Sequence, residues 1–172
     1  MKKGAARKVV FCLSLVLTIL WMFTIYGFSA NNAQESTVQS NAVTEIIIRI
    51  FNPEFEYMTH EEQHDIISQY DGIVRKVAHF VAYAILGFLT YICVTSAPFT
   101  SGARVLAYML MSLPVCVIFA ALDEYHQTMV DGRAGRISDV LIDSAGSVCG
   151  TLAAICLVVI IKMTISKSGK EG

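Results

Sequence analysis

The apolar residues of the chain fall into four long blocks, and the segments between them hold nearly all of the charged residues. The blocks cover residues 9–28, 77–97, 105–122 and 140–161. Each contains about 18 to 22 residues, which is the length an α-helix needs to cross a hydrocarbon core of about 30 Å. The pattern predicts an all-α membrane protein with four transmembrane helices, and residues 1–172 form a single membrane domain.

The composition agrees with this pattern. The chain has 172 residues, of which 55% are hydrophobic and 16% charged, with a mean hydropathy of +0.57. A soluble domain usually carries about 25% charged residues. Residues 9–28 alone could be a secretory signal peptide. Their length and the lack of a small residue at the third position before a cleavage site favour an uncleaved first span.

The orientation of the spans is predicted from the Lys and Arg residues near their ends, which are enriched on the cytoplasmic side. With an inside N-terminus, eight basic residues lie on the inner side and five on the outer side. We therefore expect both termini to be cytoplasmic. The inner set is Lys2, Lys3, Arg7, Lys8, Arg104, Lys162, Lys167 and Lys170, and the outer set is Arg49, Arg75, Lys76, Arg133 and Arg136.

Residues 29–76 form the predicted extracellular loop between the first and second spans. Residues 29–39 are rich in Ser, Asn and Gln and are predicted to be irregular. Apolar residues then recur at helical spacing over residues 38–50, with Glu45 and Arg49 four apart on the opposite side. This indicates an amphipathic helix, suited to the membrane interface, that ends at Asn52 before a proline.

A second helix in the same loop is predicted from a capping box. Thr59 and Glu62 have the spacing at which two side chains satisfy the first backbone N–H groups of a helix. The dipeptide Asp71-Gly72 is typical of a turn. We therefore predict that this helix ends there, before the second span begins.

Three of the predicted spans carry polar groups on one face, close to the same side of the membrane. These are Lys76, His79 and Tyr83 in the second span, Asp123, His126 and Gln127 at the end of the third, and Asp139 and Asp143 at the start of the fourth. Any one of them could be a structural contact between helices. Their convergence at one depth predicts a shared pocket.

Asp143 lies inside an apolar block, where a charged side chain costs about 2.5–3.5 kcal/mol on insertion scales. We expect it to pair with His79 or with an arginine. The same helix face continues through Gly146, Gly150 and Ala154, a series of small residues that lets membrane helices approach closely. The acids should therefore face the bundle.

Three kinds of site are compatible with such a pocket. Arginines could hold an anionic head group, or Asp123, His126, Asp139 and Asp143 could bind a divalent metal. A proton relay is the third, although four helices leave little room for alternating access. The sequence contains no zinc-type ligand spacing, no dinucleotide fingerprint, no P-loop and no nucleic-acid motif, and its five cysteines all lie in apolar blocks. We expect no cofactor and no nucleic-acid partner.

Three segments resemble the VanZ-like family of bacterial membrane proteins. They are RKxxHFxxYxxLG at residues 75–87, DExHQ at residues 123–127 and GRxGxxxDVxxDxxGxxxG at residues 132–150. Two positions depart from the pattern: Ala82 stands where many relatives have Glu, and Asp131 where Pro is common. The resemblance implies a protein of the bacterial cell membrane that influences susceptibility to glycopeptide antibiotics such as teicoplanin.

The first functional hypothesis is a protein that binds, and could modify, an outer-leaflet lipid or a lipid-linked cell-wall precursor. Two alternatives stay open: a non-catalytic scaffold with a structural polar cluster, and a metal-dependent lipid hydrolase or transferase. Whether the protein is an enzyme is left open. Acid–base or positioning roles are assigned to Asp123, His126, His79 and Asp143, and binding roles to Lys76, Tyr83, Glu124, Gln127, Arg133, Arg136 and Asp139.

Overall fold

The computed structural model describes residues 2–100 and 104–168, with side chains for residues 4–100 and 104–166. These ranges contain helices and no strands. The α-helices are α1 (Lys2–Ser29), α2 (Ala33–Phe51), α3 (His60–Ser96), α4 (Val105–Gln127) and α5 (Ile137–Ser168), and short 3₁₀ helices cover Pro53–Tyr57 and Pro98–Thr100.

Four of these helices, α1, α3, α4 and α5, are long and apolar enough to cross a membrane. The predicted all-α class is therefore confirmed, and each of the four predicted spans corresponds to one of these long apolar helices. The four helices alternate in direction along the chain and form an antiparallel bundle, with the most extensive packing between α3 and α5. Lys170, which entered the orientation prediction, lies outside the described residues.

Small residues bring α3 and α5 into close contact. A Cβ atom added at Gly146 would overlap the carbonyl oxygen of Phe80, and one added at Gly150 would overlap that of Ala84. Gly87 of α3 makes the reciprocal approach to the Ser147 backbone of α5. The predicted small-residue ladder is therefore confirmed, and it turns the polar start of α5 toward α3.

The connection between α1 and α2 is shorter than predicted. Asn32 caps α2 by accepting a hydrogen bond from the Glu35 N–H at 2.9 Å, and the Glu35 side chain accepts one from the Asn32 N–H at 3.3 Å. This capping box starts the helix at Ala33, so the prediction that residues 29–39 are irregular was wrong. The predicted amphipathic helix is present and ends at Asn52. Most of its apolar side chains are exposed, among them Val38, Val43, Ile46, Ile50 and Phe51.

Helix α3 begins with the predicted capping box of Thr59 and Glu62. It then continues without interruption to Ser96, so the predicted break at Asp71-Gly72 was wrong. A glycine inside a helix costs only about 1 kcal/mol. Here α2 packs along this part of α3, and a 2.8 Å ion pair from Asp71 to Arg75 spans the glycine. With 37 residues, α3 is about 55 Å long and extends well beyond one bilayer core.

The bundle has two chemically different ends. The Arg7 end holds the C-terminus of α3, where the Arg7 guanidinium donates hydrogen bonds to the carbonyls of Thr95, Ser96 and Ala97 at 3.3, 3.2 and 2.5 Å. The polar end is formed by the C-termini of α1 and α4, the start of α5 and residues 71–83 of α3. All of the predicted site residues lie at the polar end.

Candidate functional site

The polar end contains two adjoining cavities. The polar cavity, of about 280 Å³, lies between α3, the start of α5 and the segment that connects α4 to α5. The apolar groove, of about 310 Å³, lies between α1, α2 and α3. Arg75, His79 and Arg133 line both of them, so the two spaces adjoin along these three side chains.

Most of the candidate residues line one of these spaces. Tyr83 lines the apolar groove. Those that line the polar cavity are Lys76, His79, Gln127, Arg133, Arg136, Asp139 and Asp143. The remaining three, Asp123, Glu124 and His126, belong to α4 and line neither cavity.

Asp123 connects three helices. Its side chain is buried, and Oδ2 accepts hydrogen bonds from Ser29 Oγ at 2.8 Å, Tyr83 OH at 3.3 Å and Gln127 Nε2 at 3.5 Å. These donors belong to α1, α3 and α4. The contacts give Asp123 a role in holding the polar end together.

His126 faces α1 and is separated from the other candidates. Its Nε2 atom lies 3.1 Å from Tyr26 OH, and the two ring centroids are 4.6 Å apart. The metal set proposed from the sequence, which combined His126 with Asp123, Asp139 and Asp143, is therefore not assembled. The group that comes together instead is His79, Glu124 and Asp143.

Asp143 and His79 face each other across α3 and α5, as the sequence predicted. Asp143 Oδ1 lies 3.6 Å from His79 Nδ1, which is longer than a hydrogen bond. The Asp143 side chain is fully buried, and neither of its carboxylate oxygens has a hydrogen-bond partner. An unpartnered buried carboxylate is costly, and in proteins such groups are paired or bind a cation.

Glu124, unlike Asp143, has a hydrogen-bond partner for each of its carboxylate oxygens. Its Oε2 atom accepts a hydrogen bond from the backbone N–H of Arg136 at 2.9 Å, and Oε1 accepts one from Gln127 Nε2 at 3.1 Å. Gly135 permits this approach, because a Cβ atom there would overlap the carbonyl oxygen of Glu124. The buried carboxylate is thus fixed beside Asp143 by the backbone that follows α4.

The basic side chains that line the polar cavity are Arg75, Lys76, Arg133 and Arg136. Arg75 pairs with Asp71 at 2.8 Å, whereas Lys76 and Arg136 are exposed. Arg133 donates to the Ser29 carbonyl at 2.9 Å. Burial, followed by the charge of Arg75, lowers the pKa of Arg133 from its usual value. Two guanidinium groups are thus close to each other at the boundary of the two cavities, an arrangement that favours an anion between them.

Arg75 was not among the site residues assigned from the sequence, yet it lines both cavities. The spacing did contain the necessary information, because Asp71, Arg75 and His79 follow one another at intervals of four on a single helix face. The predicted helix end at Asp71-Gly72 interrupts this face between Asp71 and Arg75. Ala82, the departure from the family pattern, lines the apolar groove and leaves that position without an acid.

The family model described as VanZ/LLP1 matches residues 14–161. This range covers most of the chain and all of the candidate site residues, so the chain belongs to the VanZ/LLP1 family. No curated protein and no solved structure shows a significant match to it.

Proposed function

We propose that this VanZ-family protein binds an anionic membrane amphiphile, either an outer-leaflet phospholipid or a lipid-linked cell-wall precursor, and thereby influences glycopeptide susceptibility. One observation carries the proposal: the polar cavity and the apolar groove meet at Arg75, His79 and Arg133. A molecule with a charged head and an apolar chain matches two such adjoining surfaces.

The polar cavity supplies the groups that hold an anionic head. Guanidinium groups bind phosphate through paired N–H donors, and a lysine adds a mobile positive charge. In the proposed complex Arg75, Lys76, Arg133 and Arg136 contact the head group, with Asp139 and Gln127 at its edge. A volume of about 280 Å³ lies near the lower end of the range of small-ligand pockets and suits a head group.

The apolar groove supplies the surface for the chain. It is lined by apolar side chains of α1, α2 and α3, including Trp21, Ile25, Phe28, Val43 and Val74. In this arrangement the amphipathic helix α2 rests at the membrane interface and covers the chain as it enters. Tyr83 is fully buried beneath the groove and supports the same surface from below.

Within this proposal the four residues given acid–base or positioning roles divide into two pairs. His79 borders the cavity and acts on the head group, and the fully buried Asp143 faces His79 from α5. Asp123 and His126 contact α1 and position the helices rather than the ligand.

Binding is tested by native mass spectrometry of the detergent-purified protein. An equimolar mixture of phosphatidylglycerol and phosphatidylcholine tests a phospholipid, and a polyprenyl phosphate in a separate sample tests the precursor class. The wild type should retain the anionic species preferentially. Loss of two charges in Arg75→Gln/Lys76→Gln should reduce retention about ten-fold, which corresponds to about 1.4 kcal/mol.

The matched control is Arg49→Gln, which removes a charge from an exposed side chain of α2 that lines neither cavity. It should retain lipid as the wild type does. Equal retention of anionic and zwitterionic lipid by the wild type would overturn the proposal.

The physiological part of the proposal is tested in cells. Bacteria that express the wild type and bacteria that express Arg75→Gln/Lys76→Gln at equal membrane abundance are compared for growth in teicoplanin. The variant should lose the change in susceptibility that the wild type confers. A susceptibility that is the same for wild type, variant and empty vector would separate the protein from glycopeptide response.

The proposed site faces outward, with both termini in the cytoplasm of a bacterial cell. A membrane-impermeant maleimide should label Asp131→Cys in intact cells, because Asp131 lies in the exposed turn between α4 and α5. Gly4→Cys, at the other end of the bundle, should react only after the cells are permeabilised. The reverse labelling pattern would place the cavity on the cytoplasmic side.

A non-catalytic scaffold is the second candidate function, and the contacts of Asp123 with α1, α3 and α4 favour it. In a scaffold, every substitution at the polar end would change function only as far as it lowers protein abundance or thermal stability. A loss of lipid retention at unchanged melting temperature in Arg75→Gln/Lys76→Gln would exclude this candidate.

A further inference from the structure

We propose that His79, Glu124 and Asp143 form a binding site for one divalent cation of the first transition row, Mn²⁺ or Zn²⁺, at the base of the polar cavity. Each residue comes from a different helix, α3, α4 and α5. One potential ligand atom from each of the three lies within 4.8 Å of the others. This spacing lets a single ion contact all three after small side-chain adjustments.

The first argument is the state of Asp143. Both carboxylate oxygens are buried without a hydrogen-bond partner, and the whole residue is 0% exposed. Its nearest basic group, His79 Nδ1, lies 3.6 Å away, beyond the reach of a hydrogen bond. Buried charges in proteins are paired or coordinate metals, and the immediate surroundings of Asp143 supply no such pair at hydrogen-bonding distance.

The second argument is the way Glu124 is held. Each of its oxygens accepts one hydrogen bond, from Gln127 Nε2 and from the Arg136 N–H. An ionised carboxylate has about four lone-pair positions, so both oxygens keep acceptor capacity. Hydrogen bonds of this kind orient metal ligands and are found around most metal sites.

The third argument is access. His79 and Asp143 belong to the lining of the polar cavity, where the His79 side chain is 24% exposed, whereas Asp143 and Glu124 are buried beneath it. An ion held by the three groups would therefore have protein ligands on one side and the cavity on the other. The open positions would be taken by water or by an anionic ligand.

The ligand chemistry selects the class of ion. Two carboxylates supply two negative charges, which a divalent cation neutralises. Carboxylates suit Mn²⁺, and an imidazole together with carboxylates suits Zn²⁺ at a site that keeps an open position. The expectation that no cofactor binds came from the lack of close ligand spacing along the chain, and that spacing carries no information about ligands from three separate helices.

The test uses the full-length protein, purified in detergent and stripped with a chelator. It is then loaded with MnCl₂ or ZnCl₂, desalted and analysed by inductively coupled plasma mass spectrometry. The wild type should retain about one ion per chain, with three protein ligands to hold it. His79→Gln and Asp143→Asn should each lower the affinity for the ion by about ten-fold or more.

Two matched controls are available on the exposed first half of α3. His64→Gln and Asp65→Asn make the same chemical changes at exposed positions outside both cavity linings and should bind the ion as the wild type does. Retention of less than about one tenth of an ion by the loaded wild type would overturn the proposal. Equal retention in the wild type, His79→Gln and Asp143→Asn would do so as well.

A second measurement uses only the wild type, so it tests the site even if the variants do not fold. The melting temperature of the wild type should rise on addition of MnCl₂ or ZnCl₂ and fall again with chelator, because an ion that binds only the folded protein stabilises it. A melting temperature that does not respond to either ion would contradict the site. The cation site shares His79 and Asp143 with the proposed lipid site, but the two proposals can fail separately: ion retention is measured without lipid, and lipid retention is tested through Arg75 and Lys76, which are not ion ligands.

Discussion

At each end of the bundle an arginine donates hydrogen bonds to backbone carbonyls at the end of a helix. The two ends differ in the polar groups that surround this arginine. At the Arg7 end, Arg7 donates to three carbonyls at the C-terminus of α3. At the polar end, Arg133 donates to the carbonyls of Phe28, Ser29 and Asn31 at the C-terminus of α1. In both cases a side chain satisfies backbone oxygens that have no partner within their helix.

The difference lies in the groups around each arginine. Residues 4–12, 90–100 and 104–112, which form the Arg7 end, contain no Asp or Glu. At the polar end, Asp143 is buried without partners, and Arg75, Lys76 and Arg136 border a cavity. An end whose polar groups are satisfied by the backbone serves stability. The end with unpartnered buried groups and a cavity is the better candidate for a ligand site.

The largest effect is expected at the crossing of α3 and α5, because the positions of both ends of the bundle depend on the packing of these two helices. In Gly150→Val the new side chain would collide with the Ala84 backbone, and overpacking of this kind costs about 3 kcal/mol or more. Size-exclusion chromatography should show mostly aggregated protein. Gly27→Ala, where a Cβ atom meets nothing within 4 Å, should behave as the wild type. Normal assembly of Gly150→Val would mean that α3 and α5 do not approach as closely as described.

The next largest effect is expected for Arg133→Gln, which removes both the helix cap and a charge from the two cavities. The exposed carbonyls of α1 should cost about 1–3 kcal/mol of stability. Anionic lipid retention should fall as well. A lower melting temperature with unchanged lipid retention would show that Arg133, like Arg7, only caps a helix and does not contact the lipid.

A smaller effect is expected for Tyr83→Phe. The change removes only the hydroxyl that donates to Asp123 at 3.3 Å, which should cost about 0.5–1.5 kcal/mol. Because the ring that lines the apolar groove is kept, lipid retention should not change. A loss of retention at constant melting temperature would show that the Tyr83 hydroxyl contacts the ligand.

The smallest effect is expected for Arg49→Gln. Arg49 pairs with Glu45 and Glu56 at 2.8 Å on an exposed surface, and hydrogen bonding to Glu45 raises its pKa. Exposed ion pairs contribute little to stability. The melting temperature should be the same as that of the wild type at low and high salt. A clear decrease at low salt would indicate that the position of α2 depends on this pair.

Hydropathy and residue spacing were enough to predict the four long apolar helices, the capping box of Thr59 and Glu62, and the close approach of α3 and α5, but the capping box of Asn32 and Glu35 was missed. They failed at Asp71-Gly72, where the local preference for a turn amounts to about 1 kcal/mol and packing against α2 outweighs it. Single-sequence patterns report local preference well. They report poorly on a contact with a helix that is distant along the chain.

The composition of the site shows a second limit. Glu124 and His126 are two positions apart in α4, so their side chains point roughly 160° apart around the helix. Only one of them could face α5, and the spacing did not say which. The sequence prediction favoured His126 for a metal set, whereas the hydrogen bond from the Arg136 backbone draws Glu124 toward Asp143. That choice depends on the path of the chain after α4, which residue spacing does not encode.

One paired measurement tests the contrast between the two ends most directly: anionic lipid retention and melting temperature, determined together for Arg7→Gln and Arg75→Gln. Both variants lose one guanidinium from the bundle. Arg7→Gln should lower the melting temperature and leave retention unchanged, because Arg7 contacts backbone carbonyls and Thr100. Arg75→Gln should lower retention; it also loses the ion pair with Asp71 and the contacts with α2, so its melting temperature should fall by no more than that of Arg7→Gln. Equal retention in the two variants would contradict the assignment of the polar end as a ligand site.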